Sequence, residues 1–442
     1  MPESVLQDVW QHRRFDARAA RLTTGERIEV LHAGRLNRNA GPDFLDARVS
    51  ITDDDGHTIV LAGDVEIHRS SGEWVVHRHD RDARYDRVVL HVGFAEDRHT
   101  GSLRRADGTL LPEVVLGEHV GAPLRRLLFE FFAHARPDFP CAASWDTVPV
   151  DVRREWVRRL GRARARERAA ALREWDSTDE ALYHAAFRAL GYAPNADAML
   201  DLSRRVPAAL LATLDDPLDR EAALLGTAGL LPAPASLRGT DPPAAVYAGL
   251  LADRLAALAP ALTVPMAASV WSAGRLRPTN QPALRVAQAA ALAAPGGLAS
   301  TGVVEHLLAL ASVEEPVRAL RAWLLSFEPS PFWMDHVRFQ TRIPPRNGHI
   351  GVDRADRLIV DAILPALVLE ARRRGEPERE RRLVEVADRL PAGSDSVVRR
   401  YAPFRPAGEL EASGLRALAR DWCARGRCLQ CGVGRFLLGE SQ

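Results

Sequence analysis

Lysine is absent from this 442-residue chain, so its 59 basic residues are all arginine. Against 58 acidic residues they leave a formal net charge of +1, which excludes a strong overall positive field as the means of binding nucleic acid. Arginine favours bidentate contacts with phosphate or carboxylate. The same bias is also typical of a GC-rich genome, and this second interpretation carries more weight.

Long apolar runs and a leader segment are missing as well. No stretch of eighteen apolar residues appears, and the N-terminus lacks the charged, apolar and small-residue order of a signal sequence. We therefore expect a soluble cytoplasmic protein without membrane contact. The length exceeds what one compact core usually takes, and it predicts two or three domains.

Cysteine is scarce but clustered, at Cys141, Cys423, Cys428 and Cys431. The Cys428-x₂-Cys431 spacing lets two thiolates reach one metal, Cys423 adds a third ligand, and Cys141 completes a set of four. In a cytosolic chain such a cluster is more typical of metal binding than of disulfides. We expect structural Zn²⁺ or a [4Fe–4S] cluster. The alternative is four reduced thiols, with Cys141 buried as a small apolar residue.

Hydrophobic periodicity divides the chain into different regions. Residues 1–120 show a first helix, three strands, an irregular helix and two further strands. Residues 121–408 show apolar positions at spacings of three and four, which predicts an all-α domain. Residues 409–442 read as a helix that runs into the cysteines and packs back near Cys141. The fold class is therefore expected to be α+β, a mixed sheet with flanking helices followed by a large helical region.

Two acids on neighbouring strands give the clearest chemical signal. Asp43 follows Pro42 at the mouth of the second strand, and Glu66-Ile67-His68 ends the third. Because strand side chains repeat every two residues, Glu66 and His68 share a face. If the strands pair, Asp43 and Glu66 hold one Mg²⁺ or Mn²⁺, which activates a water that His68 positions. The alternative is structural: Asp43 caps a turn, Glu66 pairs with an arginine, and His68 is a hydrogen-bonded polar residue at a strand end.

Further polar residues follow this motif. His79 and Tyr85 are expected to contact phosphate, and Asp82 is placed with Tyr85 on one helix face at i and i+3. A second interpretation uses the histidines as ligands of zinc or manganese for the hydrolysis of a small substrate. That set consists of His68, His77, His79 and His91.

Two basic segments are candidates for contacts with nucleic acid. Residues 153–173 are rich in arginine, interleaved with apolar residues, and a solvated helix face paired with glutamates explains them equally well. Arg275, Arg277 and Arg285 flank the polar loop 278–282, which is a candidate second contact for a chain or ligand.

The order of elements around Pro42-Asp43 and Glu66-x-His68 resembles the PD-(D/E)xK phosphodiesterase superfamily, with histidine in place of lysine. This resemblance implies a metal-dependent nuclease acting on nucleic acid, with Asp43 and Glu66 on the cation and Tyr85 near the phosphate. Some of these nucleases carry an iron–sulfur cluster on one distant cysteine and a C-terminal trio. The missing lysine leaves open a non-catalytic nucleic-acid-binding or scaffold protein that retains the fold.

Short stretches along the chain carry a second resemblance. They are 39–44, 63–68, Trp74, His77, His79, 85–92, 140–141, 226–229, 276–280 with 284–285, and 428–431. On these stretches, which cover nearly its whole length, the chain is similar to the uncharacterised bacterial family DUF2851. That family has no established activity to carry over, but the match implies that the acidic motif and the cysteines belong to one recurring unit.

Overall fold

The computed structural model describes residues 3–37, 39–122, 124–125, 139–237, 241–274, 276–346, 348–393 and 395–439. Backbone contacts divide the chain into two compact units. The first, called the sheet unit, comprises Met1–Leu160, Ser394–Pro406 and Ser413–Gln442. The second, called the helical unit, comprises Gly161–Gly393 and Ala407–Ala412.

The sheet unit is built around a mixed sheet of six strands in the order β1-β3-β4-β5-β6, with the short β2 on β3. Neighbours among β1, β3 and β4 are antiparallel, whereas β5 runs parallel to both β4 and β6. In chain order the elements are α1 (Glu3–Gln11), β1 (Arg27–His32), β2 (Arg35–Leu36), β3 (Phe44–Thr52), β4 (Thr58–Ser70), α2 (Gly72–Val76), β5 (Val88–Ala95) and β6 (Glu113–Val115).

The two faces of this sheet differ in polarity because strand side chains alternate. Val65 and Ile67 of β4 join a buried apolar core with Trp10 of α1. Each large apolar side chain buried there stabilises the unit by about 1.5–3 kcal/mol. Glu66 and His68 point to the opposite face, where both are nearly fully buried. One face therefore holds the unit together and the other carries its polar groups.

A β-bulge at the start of β3 positions the acidic motif. The register with β4 shifts between Phe44 and Ala47, and Asp46 takes a left-handed φ of 59°. The Asp46 N–H donates to Asp64 Oδ1 at 3.1 Å, which satisfies the bulged backbone. Bulges re-aim neighbouring side chains, and this one sets Asp43 beside the end of β4.

The rest of the chain is mainly helical. Several helices begin at a proline, whose fixed φ and missing N–H suit the first turn. The helices are α3 (Val150–Ala171), α4 (Thr178–Leu190), α5 (Tyr192–Arg205), α6 (Ala208–Leu211), α7 (Pro217–Thr227), α8 (Pro242–Leu258), α9 (Pro282–Leu292), α10 (Val303–Ala311), α11 (Pro316–Leu325), α12 (Val352–Leu358), α13 (Leu364–Arg373), α14 (Pro377–Val386), α15 (Ser396–Arg399), α16 (Glu409–Ala417) and α17 (Gly432–Leu437).

The α+β fold class is confirmed, with a mixed sheet first and a large helical region after it. The prediction divided the chain near residues 120 and 408, whereas the compact units change at Leu160 and Gly393. Within the region predicted to be all-α, β7 (His336–Arg338) and β8 (Thr341–Arg342) form a small hairpin.

One helical stretch in the described residues, Pro242–Ala261, is long and apolar enough to cross a membrane by length and composition. Its mean hydropathy is 1.2, and 22% of its most apolar window is buried. Core helices of water-soluble proteins reach the same values, so this single stretch is weak evidence for a membrane span.

Candidate metal centre

Two hydrogen bonds between backbone N–H groups and carboxylates hold Asp43 beside Glu66. The Asp43 N–H donates to Glu66 Oε2 at 3.0 Å, and the N–H of the next residue, Ile67, donates to Asp43 Oδ2 at 3.0 Å. Gln7 of α1 donates from Nε2 to Asp43 Oδ1 at 2.7 Å. The two predicted acids therefore lie side by side in fixed orientations, Asp43 just before β3 and Glu66 within β4.

The second oxygen of Glu66 faces imidazole nitrogens. Glu66 Oε1 lies 3.3 Å from His79 Nε2 and 3.5 Å from His68 Nε2. One ring nitrogen from each of His68, His77 and His79 lies within 4.8 Å of the other two. His77 is exposed, so the group opens to solvent on its side. We call His68, His77, His79 and His91 the histidine cluster.

Three adjacent strands carry a row of polar side chains behind His68. Glu66, His91 and Glu113 occupy paired positions on β4, β5 and β6. Glu113 Oε1 lies 2.9 Å from His91 Nδ1, His91 Nε2 lies 3.0 Å from His68 Nδ1, and His68 Nε2 lies 3.2 Å from His77 Nδ1. This row forms a continuous hydrogen-bonded chain from a buried carboxylate to the exposed His77.

The protonation of this chain follows from its buried end. Burial opposes ionisation of Glu113, but hydrogen bonds from His91, the Gly101 N–H and Ser71 lower its pKa, so the carboxylate is ionised. An ionised Glu113 accepts a hydrogen bond from the Nδ1–H of His91. If His91 Nε2 in turn accepts from the Nδ1–H of His68, the lone pair of His68 lies on Nε2, which faces Glu66 Oε1 and His77 Nδ1. In metal sites, a carboxylate behind a ligating histidine fixes its tautomer in this way.

His68 is held neutral. Burial lowers its pKa to about 2, and the neighbouring His91, His79 and His77 act in the same direction. A neutral imidazole with an outward lone pair is the form that ligates metals. A neutral His68 carries no positive charge, so it offers a lone pair rather than a cation to its neighbours.

Tyr85 and Trp74 cover the cluster. The Tyr85 ring stacks on His79 with centroids 3.8 Å apart, and Trp74 meets His79 edge to face at 5.4 Å. Burial, and next the charge of Glu66, raise the pKa of Tyr85 to about 12. The phenol therefore remains a proton donor in the physiological range. Such a group can donate a hydrogen bond to a substrate oxygen but does not act as a base.

His77 and His79 reach the cluster through a left-handed residue. Between them Arg78 has a φ of 60°, which ends α2 and redirects the chain into a short 3₁₀ turn. The prediction that one helix carries Asp82 and Tyr85 on the same face is wrong. Asp82 is extended, and its side chain accepts from the Arg84 N–H, which caps a second 3₁₀ turn, Ala83–Tyr85. Local side-chain bonds of aspartate compete with a helix in this way.

The sequence placed Asp43, Glu66, His68, His79 and Tyr85 in one site, and the structure brings all five together. The sequence-based prediction did not include Gln7 or Glu113 in this site. A signal for Glu113 exists in hindsight, because a lone acid in an apolar strand needs a buried partner. A second acidic set, formed by an aspartate pair and a histidine in the β3–β4 turn, is fully exposed and offers matched control positions. It consists of Asp53, Asp55 and His57.

The four cysteines line one cavity in the sheet unit. Its cavity volume is about 20 Å³, which leaves room for a single ion. All four cysteines are reduced. Burial raises the pKa of each thiol, and it raises the pKa of Cys423 to about 12. Charge on the C-terminal three also raises the pKa of Cys141, which places Cys141 among them.

Backbone donors surround one of these sulfurs. The N–H groups of Val433 and Gly434, in the first turn of α17, donate to the sulfur of Cys431. A Cβ on Gly434 would lie 1.9 Å from the Cys428 carbonyl oxygen, so this close turn requires glycine. Leu429 is buried in the core of the sheet. A group held by the four sulfurs would therefore fasten the C-terminal segment to this unit.

The arginine-rich segment 153–173 forms most of α3, and several of its side chains are paired with acids. Arg153 pairs with Asp146, whereas Arg162 and Arg166 pair with Glu385 and Glu380 on α14. Paired guanidiniums have less charge to offer to phosphate. The interpretation as a solvated and paired helix face describes these residues.

Comparison with known proteins gives one relationship. No curated protein and no solved structure matches the chain. The sequence profile described as "Protein of unknown function (DUF2851)" matches residues 3–396, nearly the whole chain. The chain therefore belongs to the DUF2851 family.

Proposed function

We propose that the sheet unit is a metal-dependent phosphodiesterase that acts on nucleic acid. The cation lies at Glu66, His68 and His79, beside Asp43 and near the exposed His77. The observation that carries this proposal is the convergence at Glu66: one carboxylate oxygen faces two imidazole nitrogens, and the other accepts from the backbone of Asp43. The mixed imidazole and carboxylate ligands suit Mn²⁺ better than Mg²⁺, which prefers oxygen.

The order of elements supports the phosphodiester as substrate class. A helix, an antiparallel set of β1, β3 and β4, a helix and a parallel β5 are the parts on which the resemblance to the PD-(D/E)xK superfamily rests. A divalent cation at this place would lower the pKa of a bound water and offset charge on the phosphate. Asp43 orients that water, and Tyr85 donates its O–H to a phosphate oxygen.

The direct test is cleavage of single- and double-stranded DNA and RNA by purified protein with Mn²⁺. We expect Asp43→Asn and Glu66→Gln each to reduce the rate at least about 100-fold, the usual loss when a group that stabilises the transition state is removed. Asp53→Asn, at the exposed turn, is the matched control and should keep full activity. Cleavage that survives both site variants would remove the assignment. Salt-dependent binding without turnover would favour the non-catalytic alternative.

A second candidate function is zinc-dependent hydrolysis of a small substrate. The observation in its favour is the approach of three imidazoles, because zinc in catalytic sites takes three protein ligands and keeps one open position. Element analysis separates the two ideas. Zinc near two atoms per chain, with one atom lost in His79→Gln, supports the small-substrate hydrolase. Retention of all zinc by that variant would contradict it.

For the cysteines we propose a structural role, with Zn²⁺ or a [4Fe–4S] cluster as the occupant. Cys141, Cys423, Cys428 and Cys431 would close the site, which leaves no position for a substrate. The absorbance spectrum and metal content of freshly purified protein decide between the two occupants. We expect Cys428→Ser to lose the metal and to destabilise the sheet unit, while Mn²⁺ binding at the histidine cluster persists in whatever fraction stays folded. Unchanged metal content and stability in Cys428→Ser would contradict this role.

A further inference from the structure

Two arginines of the helical unit bond to one asparagine, and a third acts on one of them by its charge. Asn280 Oδ1 accepts from Arg285 Nη2 at 2.7 Å and from Arg354 Nη2 at 3.5 Å. Arg285 Nη1 donates to Gln288 Oε1 at 2.7 Å, and Gln288 Nε2 donates to the Gly348 carbonyl at 3.0 Å, in the loop that carries the third guanidinium. We call Arg285, Arg346 and Arg354 the arginine cluster.

Two members of the arginine cluster are buried, and the hydrogen bonding of the cluster is incomplete. Arg285 is 7% exposed and Arg354 is 8% exposed, whereas Arg346 is half-buried. Within the part of the chain that the structure describes, buried donor atoms lack a hydrogen-bond partner at Arg285 Nε and at Arg346 Nε and Nη2. Buried polar groups in proteins are nearly always satisfied, and an exception points to a missing partner. Here several unused donors of the same charge lie in one place.

Among the described residues, little negative charge lies around the cluster. Burial, and next the charges of Arg354 and Arg346, lower the pKa of Arg285 to about 9, while Tyr192 acts in the opposite direction. The carboxylate that acts on Arg354 is Asp361, which is shared with other arginines. Burying unpaired cations is unfavourable unless an anion completes the site. The cluster is therefore built for an anion from outside the chain.

Tyr192 gives this cluster a side open to solvent. Its ring lies over the Arg354 guanidinium at 4.7 Å and is 51% exposed. Its φ of 58° is a left-handed value, which is unfavourable for a residue with a bulky side chain. Strain of this kind persists where the surrounding structure holds it, often at binding sites. An exposed aromatic ring beside the arginines can stack on a base or another planar group.

We propose that the arginine cluster binds a dianionic phosphate, the terminal phosphate of a nucleotide or of a nucleic-acid end. Guanidinium groups match phosphate oxygens with two parallel hydrogen bonds. A carboxylate carries one negative charge and would leave two guanidiniums uncompensated, whereas a phosphomonoester carries nearly two. The polar loop singled out in the sequence, 278–282, supplies Asn280 to this site. Arg277 of its flank is exposed, and Arg275 lies outside the described residues. This site stands whether or not the sheet unit cleaves phosphodiesters.

The test is the thermal stability of the full chain in inorganic phosphate against chloride at matched ionic strength. We expect a saturable rise in Tm with phosphate and an apparent Kd at least about tenfold weaker in Arg346→Gln, which loses two of the unused donors. Arg342→Gln is the matched control, because Arg342 is an exposed neighbour paired with Asp335, and it should leave the response unchanged. No saturable shift, or an equal Kd in Arg346→Gln, would overturn the proposal.

A second variant separates ligand binding from a structural role. Without phosphate, we expect Arg285→Met to keep or raise the Tm, because an unpaired buried charge is removed, and to lose the phosphate response. A lower Tm with the response retained would mark Arg285 as a structural residue and contradict the site. Competition with 5′-phosphorylated and 5′-hydroxyl oligonucleotides of one sequence identifies the source. Preference for the phosphorylated form indicates a nucleic-acid end, and displacement by AMP with neither oligonucleotide competing indicates a nucleotide.

Discussion

The histidine cluster and the arginine cluster are opposite solutions to the burial of polar groups. In the sheet unit, the buried imidazole of His68 is neutral, and the histidine cluster is backed by the carboxylates of Glu66 and Glu113. In the helical unit, Arg285 and Arg354 are buried without a carboxylate of their own. The first arrangement presents lone pairs and negative charge and suits a cation. The second presents donors and positive charge and suits an anion.

This difference shows how burial can be read for function. A satisfied network such as Glu113–His91–His68 stabilises the fold and fixes the direction of one lone pair. An unsatisfied group lowers stability until a ligand arrives. We therefore expect opposite effects of mutation in the two clusters. Loss of the Glu113 charge lowers stability and metal affinity in the histidine cluster, whereas loss of the Arg285 charge keeps or raises stability in the arginine cluster.

The largest expected effect is at the carboxylate behind the histidines. Glu113→Gln removes the charge that fixes the His91 and His68 tautomers but keeps the side-chain shape. We expect Mn²⁺ affinity to fall about 10–100-fold, as for other groups that orient metal ligands. Calorimetric titration of Mn²⁺ measures it. Glu118→Gln, on the loop after β6, is the control. Equal Mn²⁺ affinity in Glu113→Gln and in the wild type would contradict this role of Glu113.

The next effect is a pH dependence that tests whether the imidazoles are neutral. His68 has a native pKa of about 2 against 6.5 when unfolded, and burial lowers the pKa of His184 in the helical unit to about 4. Below pH 6.5 the unfolded chain binds protons that the native groups do not, so stability is full above pH 6.5 and falls with acidification. Each group contributes about 1.4 kcal/mol per pH unit.

Chemical denaturation of metal-free protein between pH 7 and pH 5 measures this slope. We expect His68→Gln to reduce the pH dependence of the unfolding free energy by the contribution of one proton, about 1.4 kcal/mol per pH unit. The part due to His184 should remain. His57→Gln, at the exposed turn, should leave the slope as in wild type. An unchanged slope in His68→Gln would mean that His68 is protonated in the native state.

The smallest effect concerns arginines that are paired. Arg164 on α3 pairs with Glu167 at i and i+3, and Glu167 is mostly exposed. We expect Arg164→Gln to change the free energy of unfolding by less than about 0.5 kcal/mol, as for other surface pairs. It should also leave the phosphate response unchanged, in contrast to Arg346→Gln. A weaker phosphate response in Arg164→Gln would show that phosphate binding is a general property of this arginine-rich surface.

Periodicity predicted much of the sheet unit. Alternation placed Glu66 and His68 on one face of β4, and the proline before Asp43 marked the start of β3. Periodicity alone does not place His79 beside Glu66, because that position depends on one left-handed residue, Arg78. Glu113 depends on a parallel register across three strands, which no local pattern encodes.

The helical unit was predicted as elements but not as a site. Helix spacing predicted an all-α domain over residues 121–408, which includes α9 and α12. The meeting of Arg285 with Arg346 and Arg354 depends on packing between helices and a loop separated by about 60 residues of chain. The sequence singled out the loop 278–282 for its polarity alone, without its partners.

Electron paramagnetic resonance of Mn²⁺ added to metal-stripped protein tests whether Glu66, His68 and His79 bind one cation. We expect one tightly bound ion with hyperfine coupling to imidazole nitrogen. That coupling should weaken in His68→Gln and His79→Gln, and the ion should be lost in Glu66→Gln, while His57→Gln behaves as wild type. Tight Mn²⁺ binding that persists in Glu66→Gln, or a spectrum without nitrogen coupling, would contradict the convergence of these groups on a cation.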